Sequence, residues 1–595
     1  MSATKNIIAT GCATIGKQSR CLAKFGICLK ISNLQNDIET NYNKKTTFSI
    51  LIISNFAENT IGMKRTLSLL AIGLILSVSL FAQTEPIKQS KKFERLLNYI
   101  DAMYVDTTDI AKITETAIVK MLQELDPHSA YISADDVAKS KEQLDGSFDG
   151  IGVQFRIIQD TIVIQDVISG GPSEKVGLKS GDRIVKVDDE VVAGIKIDNT
   201  GVAKRLRGKK GTKVTVGILR PGEKDLIYFD IIRDKIPIHS VDAFYTVGDV
   251  GYVKLNKFAR TTETEMDSAF RYFTKKKVKN IILDLSDNTG GYLDQAVTLC
   301  SRFIEPNKSI VYTKGEKMPR YDYNSKEMNA DVVNRTGKLV VIIDENSASA
   351  SEITSGAIQD WDRGVIVGRR SFGKGLVQRE MNLTDGSIVR LTIARYYTPS
   401  GRCIQKPYSS YDEYNKDLLN RYNHGEFYHK DSIKFNDSLK YNTLKYKRTV
   451  YGGGGIMPDD FVPLDTTLRS DYHLALQRKN IFFPTISEYI DKHKDELKKK
   501  YVDVEGFAKG FEVPEEFMKT LLAKAKDAKI NVDSLKKATP EQEIYLRNHI
   551  KSSMASDVWG SSAFWVIFNQ QDPTVKRAFE IIADDKLYNS LLKKK

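Results

Sequence analysis

Asn346-Ser-Ala-Ser-Ala-Ser-Glu352 sets three serines among small residues just after the apolar run Leu339–Ile343, and Lys374 follows inside Gly373-Lys-Gly375, with Gln378 four residues on. A serine hydroxyl attacks a carbonyl only if its proton can leave as the bond forms. A lysine can take that proton when burial keeps its amine neutral, below its ordinary pKa of about 10.4. Gly373 and Gly375 add no side-chain bulk, so the chain could close tightly around Lys374. Gln378 offers an uncharged carbonyl oxygen that could orient the amine without the negative charge that would hold it protonated. Residue types alone do not choose among Ser347, Ser349 and Ser351.

A second block, Asp284-Leu-Ser-Asp-Asn-Thr-Gly-Gly291, follows the strand-like Ile281 to Leu285. A backbone amide of Gly290 or Gly291, beside that of Ala350, could hold an oxyanion, and each such donor is worth about 3 to 4 kcal/mol. Which glycine donates stays open. His128, His239, His424 and His429 are alternative bases for a conventional triad, although none lies in a recognisable catalytic motif. His-Glu-x-x-His, a Walker loop and paired Cys-x-x-Cys are absent from the sequence, so no metal and no cofactor is expected.

Taken in order, these blocks resemble the carboxyl-terminal processing peptidases, also called tail-specific proteases, from about Phe93 to about Asp465. The resemblance selects Ser349 as nucleophile, Lys374 as base and Gln378 as the residue that orients it. It also implies a crotonase-like, ClpP-like core, where periodicity alone gives α/β. The chain departs from the family at Ser286, where Arg is usual, and at Thr289, where Pro is usual, which bears on the rigidity of the glycine loop.

A chain of 595 residues suggests three or four units at roughly 100 to 200 residues each. Residues 91–145 read as a helical lead-in, with Phe93, Leu96, Leu97, Ile100 and Met103 at helical spacing and a break at Leu125-Asp-Pro-His-Ser129. Residues 146–235 resemble a PDZ domain. There Gly150, Ile151, Gly152 and Val153 could cradle a terminal carboxylate, and Val202 and Leu206, one helical turn apart, could line a peptide groove, with Asn199 or Thr200 capping their helix. Residues 241–465 alternate strands and helices, interrupted by a polar, tyrosine-rich insertion or mobile loop at 408–451, and residues 470–595 read as a helical C-terminal domain. The fold class is therefore multidomain α/β: a protease core carrying an inserted PDZ-like domain, a helical lead-in and a helical C-terminal region.

The net charge of +13 is spread along the chain and mixed with acidic residues, and no basic stripe interleaved with aromatics marks a nucleic-acid surface. Met63-Lys-Arg-Thr and the apolar Leu67 to Ala82 read as a signal peptide at 63–82, cleaved near Ala82, with translation starting at Met63 and residues 1–62 a non-native leader or upstream extension. The alternative is an uncleaved anchor in the inner membrane. Cys12, Cys21 and Cys28 fall in the leader, so only Cys300 and Cys403 remain and no disulfide framework is implied. The expected protein is an exported, periplasmic serine endopeptidase that grips free, apolar protein C-termini, with a homo-oligomer left open. The rival readings are a noncatalytic PDZ-type scaffold with a protease-like core and crotonase-like chemistry on a thioester.

Overall fold

The computed structural model describes residues 85–593, apart from 169, 221, 409, 435 and 533–537. The leader and the signal-like stretch 63–82 lie outside the described residues. The described residues divide into two compact units, one ending at Lys112 and the other beginning at Ile113. In the first, residues 85–103 are helical, as the spacing predicts, and expose Leu96, Tyr99 and Met103.

In the second unit the core is a six-stranded sheet in the order Val241–Val247, Val250–Leu255, Asn280–Asp284, Leu339–Ile343, Val365–Gly368, Asp460–Phe461. Only the first pair is antiparallel; the remaining neighbours run parallel. Parallel strands sheathed on both faces are near-continuous apolar runs, as Leu339–Ile343 and Val365–Gly368 are. One face packs on the helices Thr262–Lys275, Leu293–Ser301 and Ala350–Asp360. The other is covered by Pro573–Ala583 and Asp585–Leu592, whose Val575, Ile581 and Leu592 join Tyr252, Ile342 and Val367. The stretch read as one helical domain over 470–595 thus divides. Its last two helices complete the α/β core, and the helices between Asp471 and Phe568 build a separate core around Phe482, Ile550 and Ile567.

The PDZ-like unit hangs on a two-stranded neck, Ser147–Gly150 paired with Asp234–Pro237. Its main sheet runs Val153–Ile158, Thr161–Val167, Arg183–Val187, Lys213–Leu219, Ile227–Ile232, which leaves Val153–Ile158 as an edge. The helix Asn199–Leu206 is capped neither by Asn199 nor by Thr200 but by Asp198, whose carboxylate accepts from the Gly201 amide at 2.7 Å. Against the C-terminal helices the unit makes polar contacts: Gln165 donates to Asp557 at 2.9 Å and Lys494 donates to Ser180 at 3.1 Å.

The segment 408–451 is built into the structure rather than looped off it. It carries the helix Tyr411–Asn423 and a short hairpin, Lys440–Asn442 with Thr449–Tyr451. Buried Arg421 binds Glu426 at 2.7 Å and the Ser371 and Arg370 carbonyls at 3.1 and 2.7 Å, and Arg448 binds Asp362 at 2.7 Å and Asp459 at 2.5 Å. These polar anchors replace the apolar stripe whose absence makes the segment look loop-like.

His473 and His549 meet inside the C-terminal helical core at 3.0 Å, ringed by Phe482, Tyr545 and Phe568. Burial pushes their pKa values down to about 4 and about 3, so both are neutral in the folded state. An unfolded histidine titrates near about 6.5, so between that value and pH 4 the unfolded chain binds more protons and stability falls as pH falls. The melting temperature should therefore drop steadily from pH 7 to pH 4.5, and the slope should flatten in a His473→Leu/His549→Leu variant; an unchanged slope would contradict the assignment.

Candidate active site

Ser349 closes the turn between the strand Leu339–Ile343 and the helix Ala350–Asp360, with φ of 55° and ψ of −111°. Such a backbone is costly for a residue with a Cβ, about 1 to 3 kcal/mol, and persists only where its surroundings over-determine it. Here they do. The buried Glu352 carboxylate reaches back to the Ser349 amide at 2.9 Å, and the Ala348 amide donates to the Asn288 carbonyl at 3.0 Å. The same turn sorts the three serines. Ser347 and Ser351 are fully buried and donate to the Leu285 and Asn288 carbonyls at 2.8 and 2.7 Å, whereas Ser349 is half-buried and its hydroxyl donates to no acceptor among the described residues.

Glu352 also fixes the lysine loop. Its carboxylate accepts from the Gly373 amide at 2.7 Å, the Lys374 amide at 2.8 Å and the Ser371 hydroxyl at 2.5 Å. On the opposite side the Tyr396 hydroxyl sits 3.1 Å from the Ser349 carbonyl and against the Lys374 carbonyl. The backbones of residues 349 and 374 are thereby tied through both their amides and their carbonyls. Burial, and then the charge of Arg390, lower the Lys374 pKa against the opposing pull of Glu352 and Asp126. No hydrogen bond joins the Lys374 amine to Ser349 or to Gln378 in this conformation; catalytic hydrogen bonds in unliganded sites commonly tighten only when substrate binds.

Gln378 lies on the strand Leu376–Asn382 opposite Thr392. Its amide nitrogen stands 3.5 Å from the Thr392 hydroxyl, which donates to Asp126 at 3.0 Å. Asp126 also receives the Ser129 hydroxyl at 2.6 Å and the His128 and Ser129 amides at 2.7 and 2.9 Å. The Asp-Pro-His-Ser stretch, read from sequence only as a helix break, is therefore a bracket for the Gln378 strand. His128 lies close enough to Lys374 for that charge, after burial, to depress its pKa to about 4, and its Nε2 lies 2.6 Å from the Tyr414 hydroxyl. A proximity of this kind had no signal in the sequence. His239 pairs with Glu265, His424 bonds its own helix at Asn420, and among the described residues none of the four histidines is hydrogen-bonded to Ser349.

Gly290 packs directly on the serine turn. A Cβ there would stand 2.7 Å from Ser349 Cβ and 2.9 Å from the Ala350 nitrogen, so only glycine leaves this approach open. The Gly290 amide donates to Asn288 Oδ1 at 2.8 Å, while those of Gly291 and Ala350 have no partner among the described residues.

These loops sit within residues 249–413, which match peptidase family S41, while residues 150–230 match the PDZ domain and residues 472–560 match a family described as of unknown function. A carboxy-terminal-processing protease of Bartonella bacilliformis is 33% identical over 359 residues, covering 58% of this chain and 81% of the relative. The chain belongs to the carboxy-terminal processing proteases of peptidase family S41. The carboxy-terminal processing protease CtpA of Bacillus subtilis is 35% identical over 363 residues, covering 58% of this chain and 76% of its own. Among solved structures, a photosystem II D1 C-terminal processing protease shares 29% identity over 53% of this chain and 89% of its own, at a TM-score of 0.30. The protein is a serine peptidase with a PDZ domain, and a bare peptide-binding scaffold is set aside.

In the protease's PDZ domain the Ile151 and Gly152 carbonyls accept from Ser173 and Ile168, at 3.1 and 3.0 Å, and no bond from the Ile151 or Gly152 amides is formed among the described residues. Gly150, Gly152 and Val153 follow the chain from the neck into the free sheet edge. Val202 and Leu206, by contrast, are buried with Ile151 in the domain core, at 0% and 4% exposure, so in this conformation they pack the domain rather than face an open groove.

Replacing Glu352 by Gln puts an NH2 group where backbone amides must donate, and losing a buried, multiply bonded acceptor costs about 2 to 4 kcal/mol. Glu352→Gln should lower kcat/KM by at least about a hundredfold and reduce thermal stability. Wild-type turnover in that variant would show that the carboxylate does not set the loops.

Proposed function

We propose that this protease cleaves peptide bonds near the C-termini of exported proteins, with Ser349 as nucleophile and Lys374 as its general base. The Ser349 hydroxyl attacks the scissile carbonyl as Lys374 Nζ takes its proton; the resulting ammonium then protonates the leaving amine, and water releases the acyl group by the same route in reverse. Gln378, held through Thr392, supplies its carbonyl oxygen to orient the amine. The Ala350 and Gly291 amides hold the oxyanion at the N-terminus of the helix Ala350–Asp360, where the helix field favours negative charge. Gly290 serves by being small and by keeping its amide on Asn288. The observation that carries this reading is the Glu352 carboxylate, which binds the amides of Ser349 and Lys374 together at 2.9 and 2.8 Å beside a lysine whose charge is disfavoured by burial.

The PDZ domain would receive the free carboxylate of an apolar tail on the amides of the Gly150 to Val153 turn, with the peptide adding to the edge strand Val153–Ile158. Val202 and Leu206 would form the groove floor only once the domain opens. The cationic start and apolar stretch at 63–82 support export through a signal peptide to the periplasm.

A serine-reactive fluorophosphonate probe should label the protein, and Ser349→Ala should abolish both labelling and cleavage of an unfolded, apolar-tailed substrate. Retained turnover would reject the assignment. Because the base acts only when neutral, kcat/KM should fall as pH falls through the depressed Lys374 pKa. Arg390 helps to depress that value, so Arg390→Met should move the acid limb of the pH profile to higher pH; an unmoved limb, or one moved lower, would separate Lys374 from proton transfer.

A further inference from the structure

The loop that brings Gly290 and Gly291 to the serine turn begins at Ser286, and its first anchor is a buried cation. Lys254, 4% exposed, lies on the strand Val250–Leu255 in register with Asp284. Its Nζ donates to the Ser286 hydroxyl at 2.9 Å and to the Ser286 carbonyl at 3.2 Å, and lies 3.4 Å from Asp284 Oδ2. Asp284 in turn accepts from Tyr252 at 2.5 Å and from the Ser286 amide and hydroxyl at 2.8 and 2.6 Å. Above the ammonium stands the ring of Trp565, 4.7 Å away, on the helix Ser561–Phe568 of the C-terminal region. From Ser286 the loop is stitched to the nucleophile turn: the Asp287 amide donates to Asp344 at 3.0 Å, Asn346 donates to Asp287 at 2.8 Å, and Asn288 donates to the Leu255 carbonyl at 2.8 Å.

Ammonium, serine and tryptophan line one side of a cavity of about 660 Å³ between the core and the C-terminal helices. On that side the chain is not close-packed, so polar and cation–π contacts, not side-chain bulk, hold Ser286. Charge-assisted hydrogen bonds are the strong ones, and a desolvated cation over tryptophan adds to them.

We infer that Lys254 is a positioning residue for the Ser286 to Gly291 loop, and that Trp565 makes the C-terminal helices part of the catalytic apparatus by holding the Lys254 ammonium over that loop. The inference rests on the oxyanion role given above to the Gly291 amide.

The test measures kcat and KM of the full chain on an unfolded, apolar-tailed peptide, together with its melting temperature. Losing hydrogen bonds to a charged group corresponds to about a 10- to 100-fold effect, so Lys254→Met should lower kcat about 30-fold with KM within about twofold, and Lys254→Arg should restore most of it. Trp565→Leu, which leaves the ammonium paired with Asp284, should lower kcat about fivefold, in line with the loss of one cation–π contact, and Trp565→Phe should be close to wild type. If Lys254→Met does not fold, the two Trp565 variants decide. A folded Lys254→Met enzyme with kcat within twofold of wild type, a KM that rises in step with the loss, or a Trp565→Leu enzyme with unchanged kcat would overturn the inference. If Ser349→Ala keeps its turnover, the catalytic reading itself has failed; if Ser349→Ala is inactive and the Lys254 or Trp565 variants are not impaired, only the brace has.

Discussion

One buried carboxylate organises this candidate active site. Glu352, at 0% exposure, gathers the amides of Ser349, Gly373 and Lys374 and the hydroxyl of Ser371. An ionised carboxylate removed from water without compensation costs several kcal/mol, so its four donors must arrive together. Burial raises the Glu352 pKa, while the Ser371 hydroxyl and the three amides act to lower it. The serine turn and the lysine loop are consequently one structural unit, although Lys374 lies twenty-five positions after Ser349. The strained φ of Ser349 is the local cost of that arrangement, and Tyr396 closes the opposite side by facing both carbonyls.

Around this unit the surrounding parts of the chain act as braces. The Asp126 bracket from the lead-in fixes Thr392 and, through it, the strand of Gln378. Arg421, from the segment between the core strands, holds the Arg370 and Ser371 carbonyls just before the lysine loop. The C-terminal helices touch both the PDZ domain, through Asp557 and Lys494, and the glycine loop, through Trp565 over Lys254. The C-terminal helices thus contact both the PDZ domain and the lysine that anchors the glycine loop.

What could be read in the sequence was what is local. The strands Leu339–Ile343 and Val365–Gly368 are continuous apolar runs, and both the serine block and the PDZ order are contiguous in the chain. What could not be read joins residues far apart: Asp126 to Thr392, Lys254 to Trp565, Arg421 to Ser371. These are polar or cation–π contacts and leave no periodic trace. The same limit explains why 408–451 reads as a loop, why Val202 and Leu206 read as groove rather than core, and why the final two helices carry no sign that they cover the sheet. Gly290 and Gly291 differ through the side chain of Asn288, which holds the Gly290 amide and which no spacing rule reaches.

A crystal structure of the enzyme carrying a peptidyl phosphonate on its serine would show whether Ser349 and Lys374 carry out this chemistry. The predicted adduct is on Ser349 Oγ, its phosphoryl oxygen within hydrogen-bond distance of the Ala350 and Gly291 amides, and Lys374 Nζ within reach of the modified oxygen. An adduct on another residue, or a Lys374 amine turned away from an occupied site, would contradict it.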